Sequence, residues 1–539
     1  MHTETKTQLL LLLSITGIVL LIACANIANL LLARAANRSM EMAVRLSLGA
    51  TRGQLIRQVL TESVLLAILG GIVSVVVAYW TLAGITAMMP PESTRIMHFG
   101  LSMPAMWFTA GVSIATGLLF GIVPALQSTR PELVTELRNN SGKLSGSRGA
   151  ARFRASLVTA QISLSMALLI AAGLFIKSLR NVSRLDLGIT IENVVTFGIS
   201  PSRSGYDSVR TAALYARVEE QLKSLPGVAA VTSSALPILA GNNWGESVSV
   251  EGFKKDPDTD DGASFSAVGP GFYQVLGMRL IAGRDFTESD NVGGQRVAIV
   301  NEAFAKKFGL GNNVVGKRMS VGNDSLNIEI IGLAKNAKYS DVKRDIVPVF
   351  TTPWRQSGRL GSMNFYVRSA MPPDQLLRVI PATMKQIDPN LPVERIKTLS
   401  QQVQQNVFLD RMIGTLSSSF ALLATLLAAV GLYGVLAYSV AQRTREIGVR
   451  MALGAASSTV RGMVLRQVGR MTLIGGIIGV AGAIALDKGA ESLLFQLKGW
   501  DPLVIVIAAV VLTLVALFAG LVPALRASRI DPMQALRYE

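Results

Sequence analysis

One cysteine and two histidines in 539 residues leave little room for several kinds of chemistry. Cys24 sits inside an apolar run, so any exported part of the chain must hold together without disulfides. His2 and His98 make no metal-ligand spacing, and there is no H-E-x-x-H, C-x-x-C or G-x-S-x-G, so zinc, dithiol and serine-hydrolase sites of those kinds are excluded. Only 16% of residues are charged against 50% hydrophobic. Acidic residues are nearly missing from the apolar runs. Glu62 stands near the start of one and Asp487 at the end of another, both interface positions. Ion-coupled carriers place ionisable groups at mid-membrane, and none is evident. The segment GNNVVGKR, Gly311–Arg318, comes close to a phosphate-binding loop, but Arg318 replaces the hydroxyl residue that would meet magnesium. It reads as a structural turn, and no other nucleotide signature is present.

What the chain does have is long apolar runs, and stretches of about 18 or more such residues read as membrane spans. Seven are predicted: Leu9–Leu32, Val59–Met89, Met106–Leu126, Leu157–Ile176, Ile413–Val440, Val464–Leu486 and Leu503–Leu525. The region from Arg180 to Arg411 has the composition of a soluble domain. The net charge of +17 divides unevenly, because that region holds 27 Lys/Arg against 23 Asp/Glu. The rest of the positive charge follows spans one, three, five and seven. Arg34, Arg38 and Arg52 follow the first, Arg443, Arg445 and Arg461 the fifth, and Arg526 and Arg529 the last. Loops that alternate in this way are basic on the cytoplasmic side. The N-terminus and the soluble region are therefore expected outside and the C-terminus inside, and nucleic acid is not an expected partner. Met1–Gln8 is a short polar head rather than the basic start of a signal peptide.

The chain also repeats itself. EMAVRLSLGA, Glu41–Ala50, matches EIGVRMALGA, Glu446–Ala455, at an offset of 405, and GIVPALQSTR, Gly121–Arg130, matches GLVPALRASR, Gly520–Arg529, at 399. Each copy reads span, basic loop with the decapeptide, span, short outer loop, span ending in V-P-A-L. This is a parallel duplication of a three-span unit. Within each decapeptide the Glu and Arg stand one helical turn apart, Glu41 with Arg45 and Glu446 with Arg450, and such pairs support a short helix. Gly49 and Gly454 can end it in the left-handed conformation. Thr51, and Ser457 or Ser458, are placed to cap the helix that follows. The bland reading is a membrane-surface helix. Its appearance twice, with the same charges and breaker, favours a docking helix for a cytoplasmic partner. Gly117 and Gly121, and Gly475 and Gly479, form weaker G-x-x-x-G signals for close helix packing.

The soluble region alternates strand and helix. Val194–Ser200, Ser208–Leu225 and Val228–Ser233 predict one β-α-β unit; Asn364–Arg368, Pro373–Ile387 and Val393–Ile396 predict another. Two such units commonly pair in one ferredoxin-like layer. The segment between them, about 245–353, has its own strands at Val297–Val300 and Leu326–Gly332 and a helix at Asn301–Phe308. The expected fold is an α-helical membrane protein of two three-helix units and one linking helix, with one split β-α-β external domain. The division is 1–140 for the first unit, 141–180 for the linker and its helix, 181–410 for the external domain and 411–539 for the second unit.

Several stretches together resemble the MacB/FtsX class of ABC transporter permeases. They are Leu427–Ala455, Leu521–Glu539, LPGVAAV at Leu225–Val231, Arg296–Gly309 with Val314–Met319, and IIGLAKNAKY at Ile330–Tyr339. The duplicated form is similar to large permeases abundant in acidobacteria. The resemblance implies a bacterial inner-membrane subunit with a MacB-like periplasmic core domain and FtsX-like spans. Its work would be mechanotransmission for efflux: it would pass the motion of a separate cytoplasmic ATPase to the periplasmic domain. ATP would be bound by that partner, so this chain is expected to be no enzyme and to hold no cofactor or metal of its own. Glu41, Arg45, Gly49, Glu446, Arg450 and Gly454 would lie on the ATPase-coupling helices. Membrane lipids, a periplasmic adaptor and an outer-membrane channel are further implied partners. The alternatives are an FtsX-like regulator of a periplasmic cell-wall hydrolase, or an inactive truncated duplicate, since the first unit has no leading span and periplasmic domain in this sequence.

Overall fold

The computed structural model describes residues 2–37, 44–45, 48–89, 100–128, 145–254, 259–311, 313–322, 325–358, 361–485, 495, 497 and 499–529. The chain divides into two compact units, Met1–Asn181 with Asp410–Glu539, and Val182–Leu409.

The first unit is helical. Its long helices are α1 (His2–Asn37), α2 (Arg52–Met88), α3 (Met103–Ser128) and α4 (Ser145–Ser183), and, after the other unit, α10 (Phe408–Gln442), α12 (Ser457–Ala485) and α13 (Pro502–Ala527). The short α11 (Thr444–Ala452) stands between α10 and α12. Among the described residues six helices are long and apolar enough to cross a membrane: Leu9–Asn29, Arg52–Ala87, Arg152–Ser183, Phe408–Gln442, Ser457–Ala485 and Pro502–Ala527. The stretch predicted as the third span is helical as α3 but is not one of those six.

Helix α4 is the most enclosed of the six. Its residues Val158, Ile162, Met166 and Ile170 share one buried cluster with Leu432 and Leu436 of α10, Val464 and Val468 of α12, and Ala508 and Leu512 of α13. Glycine makes the approaches close. A Cβ on Gly475 would fall 2.8 Å from the Thr159 carbonyl, and one on Gly479 would fall 2.5 Å from the Ser163 carbonyl. Gly173 of α4 leaves room in the same way for Val504 of α13. In the first repeat, Gly117 of α3 abuts Ala67 of α2. Lys177 at the end of α4 pairs with Asp501 at 2.5 Å, and Asp501 also caps α13 by accepting from the Val504 amide at 3.2 Å.

The second unit is α/β. Strands β1 (Val194–Ile199) and β2 (Val228–Ser234) flank α5 (Ser208–Lys223); β10 (Met363–Ser369) and β11 (Glu394–Thr398) flank α8 (Pro373–Ile387). They pair in the order β11-β1-β10-β2, with the central strands in register from Val194↔Arg368 to Ile199↔Met363. That order is the ferredoxin-like split β-α-β arrangement. Leu214, Val218 and Leu222 of α5 and Leu376, Ile380 and Met384 of α8 pack on Val195, Phe197, Phe365 and Val367. The Phe197 and Phe365 rings stack with centroids 5.4 Å apart.

Beyond β2 the sheet continues through β4 (Gly262–Val268), β3 (Gly245–Val250), β7 (Arg318–Val321), β8 (Ile328–Ala334), β6 (Val297–Asn301) and β9 (Val349–Pro353). Strand β9 then returns to pair with β4 in parallel, so these six strands form a closed ring. Closure removes exposed edges. Phe304 of α7 (Glu302–Lys307), Phe350, Val248 and Ile330 fill its core. Strands β3, β4, β7, β9 and the short β5 (Leu280–Gly283) were not predicted. The first three, GESVSV, GASFSAV and RMSV, have few of the β-branched and aromatic residues that mark a strand in sequence.

One buried carboxylate ties the ferredoxin-like layer together. Glu219 of α5 pairs with Arg355 at 2.9 Å and accepts from Trp354 Nε1 at 3.1 Å and Ser233 Oγ at 2.8 Å. Removing one partner of a buried pair costs about 3–5 kcal/mol. Glu219→Ala should therefore lower the stability of a 182–409 fragment by about that amount in urea denaturation, while the unsubstituted fragment unfolds in one cooperative step.

Asp290 gives a pH dependence. Arg284 meets both its oxygens at 2.8 Å and, with the Thr287 amide, holds its carboxyl below the usual carboxylate range. A carboxyl whose folded pKa is depressed contributes stability above its unfolded value of about 3.9, and that stability is lost as pH falls through the folded value. Its neighbour Asp285, pushed up by burial, has the opposite sign. Asp290→Asn should flatten the acid limb of the fragment's stability below about pH 4 and weaken without abolishing the opposite contribution of Asp285, which burial chiefly and the Asp290 charge in part push up, as read by urea midpoints from pH 2.5 to 6.

Candidate functional site

The two decapeptides end in the same way. In the second copy Leu453 N donates to the Val449 carbonyl and Ala455 N to the Arg450 carbonyl, both at 3.0 Å. In the first copy Leu48 N donates to Val44 and Ala50 N to Arg45, again both at 3.0 Å. Gly454 has φ 93° and Gly49 φ 96°, so each turn needs the left-handed region that glycine enters freely. Arg450 Nη2 lies 2.5 Å from Glu446 Oε1, with both side chains about half exposed. Glu41 lies outside the described residues.

Both arginines also reach the helix that follows, at the same position. Arg45 Nη1 donates to Gln58 Oε1 at 2.9 Å, and Arg450 Nη1 approaches Met463 Sδ at 3.2 Å. Residues 58 and 463 are themselves 405 apart. Thr51 caps α2 as expected, in a reciprocal box with Gln54. Ser457 does not cap α12. It is the first helical residue, and its hydroxyl donates to the Ser528 carbonyl at 3.2 Å, fastening the start of α12 to the end of α13.

Sequence reasoning missed the apolar part of this surface. Ile447 is buried in the membrane-helix core and anchors α11. On the opposite side Val449 and Leu453 are exposed, and Leu453 is 83% accessible. Val44 and Leu48 are their equivalents, with Leu48 at 82%. The signal was present in the sequence: a leucine beside the turn glycine in both copies. Each copy thus offers a leucine and a valine next to an arginine, on a helix end fixed by a glycine turn.

The GNNVVGKR segment is committed to the fold. The Gly316 amide donates to the Ile330 carbonyl at 2.8 Å, and Lys317 lies 3.3 Å from Glu251. The Arg318 amide donates to Glu251 at 3.1 Å, and the chain continues as strand β7 rather than as a helix. Among the described residues no group of His, Cys, Asp and Glu could hold a metal ion. In the α/β unit a cavity of about 1200 Å³ opens beside β4. It is lined by Arg203, Trp244, Phe265, Arg296, Thr352 and Gln356, among others.

Several apolar helices long enough to span a bilayer, joined to an α/β domain, define a multi-pass membrane protein with a large α/β domain outside its spans. Comparison with known proteins narrows this. The model of the MacB-like periplasmic core domain matches residues 155–404, and that of the FtsX-like permease C-terminal region matches 13–133 and 418–532. An ABC transporter permease of Bacillus subtilis, YknZ, is 25% identical over 346 residues, which cover 60% of this chain and 84% of that one. The macrolide export ATP-binding/permease protein MacB of Shewanella oneidensis is 28% identical over 355 residues, 62% of this chain and 50% of that one. The chain thus spans about half the length of such ATP-binding/permease relatives. The crystal structure of the periplasmic region of MacB from Actinobacillus actinomycetemcomitans aligns at 15% identity and TM-score 0.29, over 42% of this chain and 96% of that one. The chain belongs to the MacB/FtsX-type ABC transporter permeases, a class of multi-pass inner-membrane proteins.

Accessibility tests this geometry. Leu48→Cys and Leu453→Cys, in a Cys24→Ala background, should react with a maleimide in opened membranes at similar rates. Ile447→Cys should react at least tenfold more slowly. Equal rates at 447 and 453 would contradict the anchored orientation of α11.

Proposed function

We propose that this chain is the permease subunit of an ABC transporter whose ATPase is a separate cytoplasmic protein. It transmits the motion of that ATPase to the α/β domain, which acts in the periplasm on an exported or envelope substrate. The observation that carries this reading is the decapeptide surface, in which an exposed Leu-Val pair and an exposed Arg are held on a helix end that the core anchors through Ile447. A helix serving only the membrane surface needs no fixed turn and no matched arginine contact to the next helix. Helix α11 follows α10 with one intervening residue, Arg443, so a push on α11 is delivered to a membrane-length rod. The commitment of the GNNVVGKR segment to sheet pairing supports hydrolysis elsewhere. The alternation of basic loops supports a reading in which the decapeptides face the cytoplasm and the α/β domain lies outside. The cavity that Trp244, Arg203 and Arg296 help to line is where we place substrate contact, and an adaptor or outer-membrane channel would act beyond it.

The test separates coupling from folding. Arg450→Glu puts like charges one turn apart, which costs the helix only a few tenths of a kcal/mol. A docking interface that reads the charge loses about 2 kcal/mol or more. Expression and membrane insertion should stay near normal while stimulated ATPase activity of the reconstituted complex falls at least thirtyfold. Leu453→Asp should do the same. Unchanged stimulation in Arg450→Glu, Arg45→Glu and the double variant would sink the docking reading.

A further inference from the structure

Ring closure leaves one stretch of strand edge uncovered. Adjacent residues of a strand turn their backbone groups to opposite edges. Ser264 of β4 bonds on the β9 side, its amide donating to the Pro348 carbonyl at 2.8 Å, so Phe265 and Ala267 turn theirs to the other edge. There the Phe265 amide donates to the Trp244 carbonyl and the Ala235 amide donates to the Ala267 carbonyl, both at 2.8 Å. Between these two bonds stand the Phe265 carbonyl and the Ala267 amide, and among the described residues nothing meets either of them. Ala267 is buried, and a buried backbone amide without a partner is rare. The gap exists because the chain leaves β2 at Ser234, runs out through 235–244 and returns as β3 at Gly245. Ala235, Trp244, Phe265 and Ala267 all line the cavity of about 1200 Å³, so the unmet pair lies in its wall.

The gap is also held open. The Ile238 amide donates to the Tyr366 hydroxyl, the Leu239 amide to the Tyr339 carbonyl and the Gly241 amide to the Ser340 carbonyl, all at 2.8 Å. Asn406 of α9 (Leu399–Asn406) donates through Nδ2 to the Leu239 carbonyl at 3.1 Å. These bonds keep the buried Leu239 at φ 55°, a conformation that leucine rarely adopts. The excursion is therefore fixed away from β4 rather than free to fold back over it. A carbonyl on one residue and an amide two residues on are what a strand offers a parallel neighbour: one residue of the neighbour donates its N–H to the first and accepts from the second. We propose that the cavity binds an extended peptide, one residue of which pairs with β4 at Phe265 and Ala267 as an added piece of strand. Exposed Trp244 and partly buried Phe265 give the peptide an apolar wall. Arg296, exposed and without an ion pair among the described residues, can meet a carboxylate on the same peptide. This names a substrate class and rests on the reading of the cavity as the place of substrate contact.

The probes are fluorescein-labelled peptides of sequence Gly-Ala-X-Asp-Gly-amide, with Leu, Val or Phe at X, and binding to the full chain in nanodiscs is read by anisotropy. A peptide of this panel should bind. N-methylation at one of its backbone amides, which removes a single donor and keeps every side chain, should weaken binding roughly tenfold, and N-methylation at the outer amides should change it by less than about twofold. Ala267→Pro removes the amide on the protein side. That amide bonds nothing in the chain, so the sheet loses no ladder bond, and binding should be lost. If Ala267→Pro fails to fold, the N-methyl series on the unsubstituted chain decides alone. No binding by any of the peptides, equal loss wherever the methyl is placed, or binding that a folded Ala267→Pro chain retains overturns the proposal. The transport reading fails separately. A peptide that pairs at β4 yet leaves the ATPase rate of the reconstituted complex unchanged upholds the strand pairing and sinks the cavity as the place of substrate contact. Absence of peptide binding, with the Arg450→Glu loss of stimulation intact, sinks the pairing and leaves the permease reading standing.

Discussion

Close approach of helix backbones in a medium without water is the constraint on which the membrane unit depends. Lipid offers no hydrophobic drive between helices, so they hold by contact and by interhelical hydrogen bonds. Helix α4 makes most of these contacts. Gly475 and Gly479 let α12 lie against its carbonyls, Gly173 admits Val504 of α13, and Gln161 spans the gap left by Gly431 of α10. A side chain at any of these glycines would force the helices apart, and the buried cluster running from Val158 to Ile170 would lose its walls. Three polar side chains bond across helices in this region: Asn26, Gln161 and Ser165 each donate to a carbonyl of a neighbouring helix. Such bonds specify register more than they add stability.

The external domain solves a different problem, that of folding without disulfides. It does so with two cores that share a continuous sheet. The ferredoxin-like layer relies on two amphipathic helices and a buried Glu219–Arg355 pair, and the closed ring relies on aromatic contacts such as Phe265 with Phe350 at 5.0 Å. Strand pairing between β2 and β4 is a single residue pair, Ser234↔Val268, and the two parts are held further by side chains that cross the join: Ala267 of β4 and Trp354 after β9 are buried in the ferredoxin-like core, and Phe265 packs on both.

Much of this was legible in the residues. The first and last β-α-β units could be read because their strands are apolar and their helices periodic, as in VVTFGI and in PDQLLRVIPATMKQI. The closed ring was not legible. Its strands β3 and β7 are GESVSV and RMSV, short and serine-bearing, and the ring closes only when β9 returns to β4, a pairing across some 80 residues. The decapeptides could be found from their charges and glycines, but not their exposed leucines, since burial of Ile447 beside exposure of Val449 depends on where the membrane core lies. The expected cap at Ser457 failed for a similar reason: the hydroxyl found a tertiary acceptor on Ser528. The contact of Asn26 with Gly431 was invisible in either span alone, because an asparagine and a glycine at matching positions look like divergence until they meet.

Helix α10 has 35 residues, which at a rise of about 1.5 Å each makes a rod of about 52 Å. The hydrocarbon core of a bilayer takes up about 30 Å of that length. The rod therefore has arms that project past the hydrocarbon core on both sides. Pivoting about its centre by ten degrees would sweep each end sideways by about 4–5 Å, close to the rise of one helical turn. On the proposed transmission reading, a movement of the size of a side chain at one end would become a stroke of equal size and opposite direction at the other, with nothing having to slide through the membrane.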